Sequence, residues 1–227
     1  MTSSPLPMLQ TIEQEPASEA TASVIWMHGL GATAHDFESV PPHLGLAPEL
    51  AVRFVFPQAP SIPVTINAGM VMPAWYDIQQ LDTTGRDGDE AGIRRSEAQV
   101  RALVDREIER GVPAESIVLA GFSQGGAIAL QAALRDPRRL AGVMVLSGYL
   151  LLADHLDEEA SPANRDLPIF QAHGTHDPMV QLSWARRSRE HLEQLGWRPE
   201  SHEYRMAHQV CLEELEEIGR WLNRVLA

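Results

Sequence analysis

The chain has 227 residues, of which 44% are hydrophobic and 22% charged, an ordinary composition for a globular protein with a substantial core. Its formal charge of −13, from 18 basic and 31 acidic side chains, argues against nucleic acid and anionic membrane surfaces as main partners. No apolar stretch approaches the roughly 18 residues that span a bilayer, and the N-terminus lacks the regions of a secretory signal. The single cysteine, Cys211, excludes an internal disulfide, so we expect a cytoplasmic protein.

Apolar runs and helical periodicities alternate along most of the chain. Strands are predicted near residues 9–12, 24–27, 52–56, 116–120, 142–146, 167–172 and 201–206. Helices are predicted near 93–110, 127–134, 179–195 and 210–226, with a short helix near 36–46 broken by Pro41 and Pro42, and a polar loop around 154–166. Residues 58–92 are predicted to form a long irregular loop, and its apolar first half is typical of a functional loop. We find no repeat or linker, so the pattern predicts one α/β domain over residues 1–227, with a mainly parallel sheet and helices on both faces.

The segment Gly121-Phe122-Ser123-Gln124-Gly125 stands between a predicted strand and an alanine-rich helix. It matches G-x-S-x-G, the nucleophile elbow, in which a sharp turn exposes a serine and needs neighbours without side chains. The pattern alone also occurs in ordinary glycine-rich turns, so the interpretation depends on finding partners for Ser123. In a parallel sheet such partners follow the carboxyl ends of strands.

A serine hydroxyl needs a general base, and histidine is the natural choice. Among nine histidines, His208 directly follows the last predicted strand, so we expect it to be the base. Asp177 follows the preceding strand and is the expected acid, ahead of three rivals in a charged loop, Asp154, Asp157 and Asp166. The resulting chain order, Ser123, Asp177 and His208, is the order found in α/β-hydrolases.

The oxyanion of an acyl-transfer reaction needs two N–H donors. We expect them from the backbone amides of Leu30, in a glycine-flanked turn, and of Gln124, which follows the serine. A metal site at His173 and His176 lacks a second cluster of ligands, so we expect no metal. Cys211 lies three residues past the expected base, but a free cysteine at the start of a helix is expected to pack inward rather than react.

With these motifs, the chain resembles the acyl-protein thioesterase/carboxylesterase (phospholipase/carboxylesterase) family of α/β-hydrolases from about residue 22 onward. The resemblance also rests on Phe56-Pro57-Gln58-Ala59-Pro60, on Met72-Pro73-Ala74-Trp75-Tyr76-Asp77 and on Leu146-Ser147-Gly148-Tyr149-Leu150. One departure is Ala207, where the family usually has glycine before the catalytic histidine. The resemblance implies an α/β-hydrolase fold without a large lid, and acyl-binding residues in and after the 58–76 loop: Ile66, Met70, Met72, Trp75 and Met179.

The resemblance implies a serine esterase that hydrolyses carboxylic esters of short-to-medium acyl chains without a cofactor. An acyl-protein thioesterase or a lysophospholipase would use the same triad, and the sequence does not separate these substrates. The alternative of another class is a non-catalytic binding protein on the hydrolase scaffold. It is disfavoured because such proteins typically lose a member of the triad. We therefore expect a small-molecule ester or acyl-thioester as the partner, and the resemblance is compatible with a homodimer.

Overall fold

The computed structural model describes residues 7–79 and 88–227. Its strands are β1 (Thr11–Gln14), β2 (Ala22–Met27), β3 (Val52–Pro57), β4 (Ser61–Val64), β5 (Met70–Pro73), β6 (Ile117–Phe122), β7 (Gly142–Leu146), β8 (Ile169–Gly174) and β9 (Glu200–Tyr204). Its α-helices are α1 (Glu90–Glu109), α2 (Gln124–Arg135), α3 (Leu156–Glu159), α4 (Leu182–Gln194) and α5 (Leu212–Val225).

Seven of these strands form one sheet in the order β1-β3-β2-β6-β7-β8-β9. Only the edge strand β1 is antiparallel to its neighbour, so the prediction of a mainly parallel sheet is confirmed. Strand β6 is central, with Ala120 opposite Trp26 on one side and Met144 on the other. Because β2, β6, β8 and β9 are parallel, the turns that follow them lie along the same edge of the sheet.

Two apolar clusters cover the two faces of the sheet. One cluster contains the buried faces of α1, α2 and α4, including Val100, Ile128 and Trp184. The other contains the buried stripe of α5, including Ile218 and Trp221, together with side chains from the segment that follows β2. Fully burying an aliphatic side chain contributes about 1.5–3 kcal/mol, so these two layers hold the strand ends in fixed positions.

The segment between β2 and β3 differs from the sequence prediction. In place of the expected short helix near 36–46, it forms turns and one 3-10 turn at Pro41–His43. Two consecutive prolines remove two backbone donors there, which prevents a regular α-helix. The polar loop predicted around 154–166 likewise contains the short helix α3.

The predicted irregular loop 58–92 contains an antiparallel hairpin of β4 and β5. A 3-10 turn at Thr65–Asn67 connects the two strands, and Ala68 and Gly69 adopt positive φ at its end. The sequence pattern missed the hairpin because each strand has four residues and includes a proline, which counts against a strand away from a sheet edge. Residues 80–87 of the predicted loop lie outside the described residues.

Within residues 7–79 and 88–227, no helix combines the length and the apolar character needed to cross a membrane.

Candidate active site

The turn between β6 and α2 holds Ser123 in an unusual backbone conformation, with φ 55° and ψ −122°. A residue other than glycine rarely adopts such a backbone conformation, and strain of this kind is typical of a functional turn. A Cβ atom on Gly121 would overlap the backbone of Gly125, and one on Gly125 would overlap the carbonyl oxygen of Met27. Glycine is therefore required on both sides of the serine, as the nucleophile-elbow pattern predicts.

The structure brings the three predicted residues Ser123, His208 and Asp177 into one hydrogen-bonded line. The Nε2 atom of His208 lies 3.0 Å from Oγ of Ser123, and its Nδ1 atom lies 2.6 Å from Oδ2 of Asp177. Each residue follows the carboxyl end of a parallel strand, namely β6, β8 and β9. With Nδ1–H donating to the carboxylate, Nε2 is left to accept the serine proton, the arrangement that general-base catalysis needs.

The carboxylate of Asp177 is held by its own turn. Its Oδ1 accepts hydrogen bonds from the backbone N–H groups of Met179 at 2.8 Å and Val180 at 2.9 Å. Burial alone raises the pKa of Asp177, but the hydrogen bond from His208 and the two backbone donors outweigh it, so the pKa lies below its ordinary value. Asp177 is thus held in the charged form, which stabilises a protonated imidazole beside it.

His173, weighed above as a metal ligand, supports this same turn. It is buried at the end of β8, and its Nε2–H donates to the carbonyl oxygen of Val180 at 2.8 Å. Burial lowers the pKa of His173, which favours the neutral ring despite the neighbouring carboxylate of Asp177. His176, by contrast, is exposed, and its Nδ1 lies 3.0 Å from the hydroxyl of Thr175. The two histidines therefore have different surroundings.

In the turn after β2, the two amides that follow Leu30 are already hydrogen-bonded. The N–H of Gly31 donates to the carbonyl oxygen of Pro73 at 2.8 Å, and that of Ala32 donates to Gly29 at 3.2 Å. Among the described residues, the backbone amides of Leu30 and Gln124 have no such acceptor, and both residues line the same cavity as Ser123. This is the placement expected of the two oxyanion donors.

Buried His28 fixes the orientation of that turn. Burial lowers the pKa of His28, which favours the neutral ring. Its Nδ1–H donates to the carbonyl oxygen of Gly29 at 2.7 Å, and its Nε2 accepts from the N–H of Ala59 at 3.1 Å. Because the carbonyl and N–H groups of a trans peptide point in opposite directions, holding the Gly29 carbonyl also sets the direction of the Leu30 N–H.

The side chain of Gln124 ties the elbow to the segment after β5. Its Oε1 accepts from the N–H of Trp75 at 2.8 Å, and its Nε2 donates to the carbonyl oxygen of Tyr76 at 2.9 Å. The Trp75 indole in turn donates to the carbonyl oxygen of His28 at 2.8 Å. Trp75 is fully buried, so it links the two turns that carry the expected oxyanion donors instead of lining the acyl side.

A cavity of about 350 Å³ opens above Ser123 and His208. Of the five predicted acyl-binding residues, Ile66, Met72 and Met179 line it, whereas Met70 and Trp75 do not. Met70 is 63% exposed on β5. The lining residues that the sequence analysis missed include Ile78, Tyr149, Val180 and Trp184. Tyr149 comes soon after β7, so the rule that found Asp177 could have found it.

Cys211 occupies the N-cap position of α5 without a side-chain capping hydrogen bond, and it is half-buried. It packs against the apolar cluster that contains the buried stripe of that helix. The Nε2 atom of His208 faces Ser123 instead, which disfavours a Cys–His pair.

Comparison with known proteins places this geometry in a family. The phospholipase/carboxylesterase family matches residues 10–226. The chain belongs to this family. Acyl-protein thioesterase 1 of Neurospora crassa is 42% identical over 214 residues, which cover 91% of this chain and 87% of the relative. The α/β-hydrolase fold expected from the sequence is therefore confirmed.

Two solved structures of plant proteins are similar to this chain and support its assignment to the phospholipase/carboxylesterase family. The crystal structure of Arabidopsis thaliana SOBER1 matches with a TM-score of 0.86 and 31% identity, covering 91% of this chain and 99% of that one. The crystal structure of Zea mays acyl-protein thioesterase 2 matches with a TM-score of 0.83 and 27% identity, covering 96% of this chain and 99% of that one.

Proposed function

We propose that this family member hydrolyses carboxylic esters of short-to-medium acyl chains through an acyl-enzyme on Ser123. The observation that carries the proposal is the hydrogen-bonded line from Ser123 through His208 to Asp177 at the floor of an apolar cavity. Membership of a family of ester hydrolases supports it. A scaffold protein without catalysis is disfavoured because the three side chains that the reaction needs are hydrogen-bonded in the required order.

In the first half of the reaction, Oγ of Ser123 attacks the carbonyl carbon of the ester while its proton moves to Nε2 of His208. The carbonyl π electrons move to oxygen, and the amides of Leu30 and Gln124 donate to the resulting oxyanion. When the tetrahedral intermediate collapses, the bond to the leaving group breaks, and His208 gives its proton to the departing oxygen or sulfur. Asp177 stabilises the imidazolium throughout.

In the second half, water replaces the alcohol or thiol. His208 takes a proton from the water as its oxygen attacks the acyl-enzyme, and the same two amides donate to the second oxyanion. Collapse of this intermediate returns the proton from His208 to Oγ of Ser123 and releases the carboxylic acid. The two halves use one set of residues, so no cofactor is needed.

Acyl-thioesters are a second candidate substrate on the same triad. The specific support is that this chain is 42% identical to a relative named acyl-protein thioesterase 1. Thiols are better leaving groups than alcohols, so a site that stabilises the oxyanion of an ester serves a thioester equally. The apolar walls around Met72 and Met179 fit an aliphatic acyl chain in either case.

One kinetic panel tests the proposal. Oxygen esters and thioesters with the same acyl chains, from two to sixteen carbons, would be hydrolysed by the wild type and by Ser123→Ala. We expect Ser123→Ala to lose turnover on the order of 10⁶-fold, by the precedent of other triads. The control is Ser183→Ala, an exposed serine on α4 that should leave turnover unchanged. Near-normal hydrolysis by Ser123→Ala would overturn the proposal.

Two properties beyond the chemistry are also proposed. A cytoplasmic location is supported by the one free cysteine, since exported proteins tend to use disulfides, and fractionation of the native cell would test it. A homodimer is compatible with the family resemblance, and sedimentation of the full chain at micromolar concentration would test that prediction.

A further inference from the structure

A second groove meets the catalytic cavity at His208. It has a volume of about 360 Å³ and lies on the side of His208 that faces the start of α5. Three residues, Asp36, Phe122 and His208, line both spaces. The other walls of this groove, which we call the His208 groove, are formed by Phe37, Val40, Gln209, Val210 and Leu215.

The floor of the His208 groove is a row of rings. The Phe122 ring lies with its centroid 4.6 Å from the imidazole of His208 and 5.9 Å from the ring of Phe37. Phe37 is buried in the apolar cluster on the α5 face, and Val40 and Leu215 pack against that cluster while staying partly accessible. The groove is therefore already formed, apolar and open to a ligand.

If the proposed function holds, the reaction indicates which part of the substrate binds in this groove. In the proposed function, the acyl chain occupies the cavity lined by Met72, Met179 and Trp184. The atom that departs must lie beside Nε2 of His208, because His208 gives it a proton. A leaving group that continues past His208 enters the second groove. We propose that the His208 groove binds the alcohol or thiol portion of the substrate and selects leaving groups with an apolar body and a positive charge.

The preference for positive charge comes from Asp36. It is the only carboxylate among the described residues that line the two spaces, and no arginine lines either of them. In the described part of the chain, the Asp36 side chain has neither a hydrogen bond nor an ion pair, whereas nearby Glu38 is paired with His35 at 2.8 Å. An unpaired carboxylate at the entrance of an apolar groove complements a cation attached to an apolar body.

Asp36 is exposed, so solvent screens its field and the selectivity is modest. Exposed charge pairs shift an equilibrium by about two- to fivefold. We expect the same range in kcat/KM between a cationic leaving group and a neutral one of equal shape. The apolar part of the groove should contribute more, since it removes several carbon atoms of the leaving group from water.

The test uses three thioesters of the same butyryl group. Their thiols are thiocholine, its uncharged isostere 3,3-dimethylbutanethiol, and methanethiol. Thiocholine is intrinsically the better leaving group, so the informative quantity is the ratio of kcat/KM for the first two esters, compared between protein variants. In Asp36→Asn this ratio should fall about two- to fivefold. In Glu38→Gln, which makes the same chemical change outside both spaces, it should keep the wild-type value.

The apolar part is tested by filling the groove. Leu215→Trp should lower kcat/KM for the dimethylbutanethiol ester at least about fivefold relative to the methanethiol ester, and Val40→Phe provides a second filling variant if the first does not fold. Equal changes for both esters, or an unchanged charge ratio in Asp36→Asn, would overturn the proposal. Hydrolysis of the methanethiol ester by the wild type reports the proposed function separately, so failure of the groove and failure of the triad are distinguishable.

Discussion

The Nδ1 atom of His28 lies 2.7 Å from the carbonyl oxygen of Gly29, the residue before the proposed oxyanion donor Leu30. His28 does not line the cavity; it acts through the peptide that it holds. The ring accepts from Ala59 on its other side, and burial lowers its pKa, so its single proton is available for Gly29. The direction of one oxyanion donor therefore depends on a buried neutral histidine.

Replacing this histidine should affect turnover more than binding. Losing one oxyanion donor costs about 10²–10³ in kcat, and His28→Ala loosens the donor without removing it. We expect kcat to fall about 10- to 100-fold while KM changes less than about twofold. The rate should be normalised to the amount of Ser123 that a fluorophosphonate labels, which corrects for unfolded protein. The control is His35→Ala, an exposed histidine in the following turn. An unchanged kcat in His28→Ala would show that the ring has no positioning role.

The buried side chain of Gln124 should be important for stability. In Gln124→Glu, the group that donated to Tyr76 becomes an acceptor, so two oxygens face each other in a buried site. Burying an unsatisfied or charged group of this kind costs about 2–4 kcal/mol. Urea unfolding should show that loss, and Gln194→Glu, an exposed change at the end of α4, should not. A stability equal to that of the wild type would contradict the proposed link between the elbow and the Trp75 segment.

Asp177→Asn should leave the fold intact and remove most activity. An amide can fix the wrong tautomer of His208 and cannot stabilise the imidazolium, so turnover should fall roughly 10⁴-fold. Asp157→Asn, an exposed rival acid from the sequence, serves as the control and should keep wild-type turnover. If Asp157→Asn were the inactive variant, the assignment of the acid would be wrong.

The same carboxylate should contribute to stability in acid. The pKa of Asp177 is lower in the folded protein than its ordinary value of 3.8. Its stabilising contribution is therefore present above that value and is lost as the pH falls through the folded-state pKa. As the pH falls from about 5 to about 2, the melting temperature of the wild type should drop more than that of Asp177→Asn. Parallel curves for the two proteins would contradict this.

The contribution of Glu214, on α5, to stability should have the opposite pH dependence. Burial raises its pKa to about 8, against a weaker opposing effect of the Cys211 amide at the helix N-cap. A raised folded-state pKa means that stability is greatest below the ordinary value of 4.5 and is lost as the pH rises through about 8. Glu214→Gln should therefore stabilise the protein by about 4 kcal/mol at pH 8 and by very little at pH 4.5. The exposed Glu213→Gln is the control. A variant that gains nothing at pH 8 would contradict the buried placement.

The sequence predicted site residues best where a residue lies just after the end of a strand. Ser123, Asp177 and His208 follow β6, β8 and β9, and parallel strands bring their carboxyl ends to one edge, so the order of strands was sufficient to place all three together. Leu30, the proposed second oxyanion donor, follows β2, which pairs with β6, and was chosen by the same argument.

The parts that the sequence did not predict depend on contacts between distant segments. The β4–β5 hairpin consists of two four-residue strands with prolines, the shortest length at which alternation is recognisable. Trp75 was expected in the acyl site because its whole apolar loop was assigned to that site. Its buried position instead follows from hydrogen bonds to Gln124 and His28, which are 49 and 47 residues away in the sequence. The His208 groove needs α5 and the turn after β2 together, which no local pattern specifies.

The central claim is that Ser123 carries the acyl group. The most direct measurement mixes the enzyme with a p-nitrophenyl ester, quenches it with acid within the first turnover and determines the mass of each peptide. The account predicts one acyl group per molecule on the peptide that contains Ser123, with a matching burst of p-nitrophenol. Acylation of the Cys211 peptide instead, or hydrolysis with no acylated peptide and no burst, would contradict it.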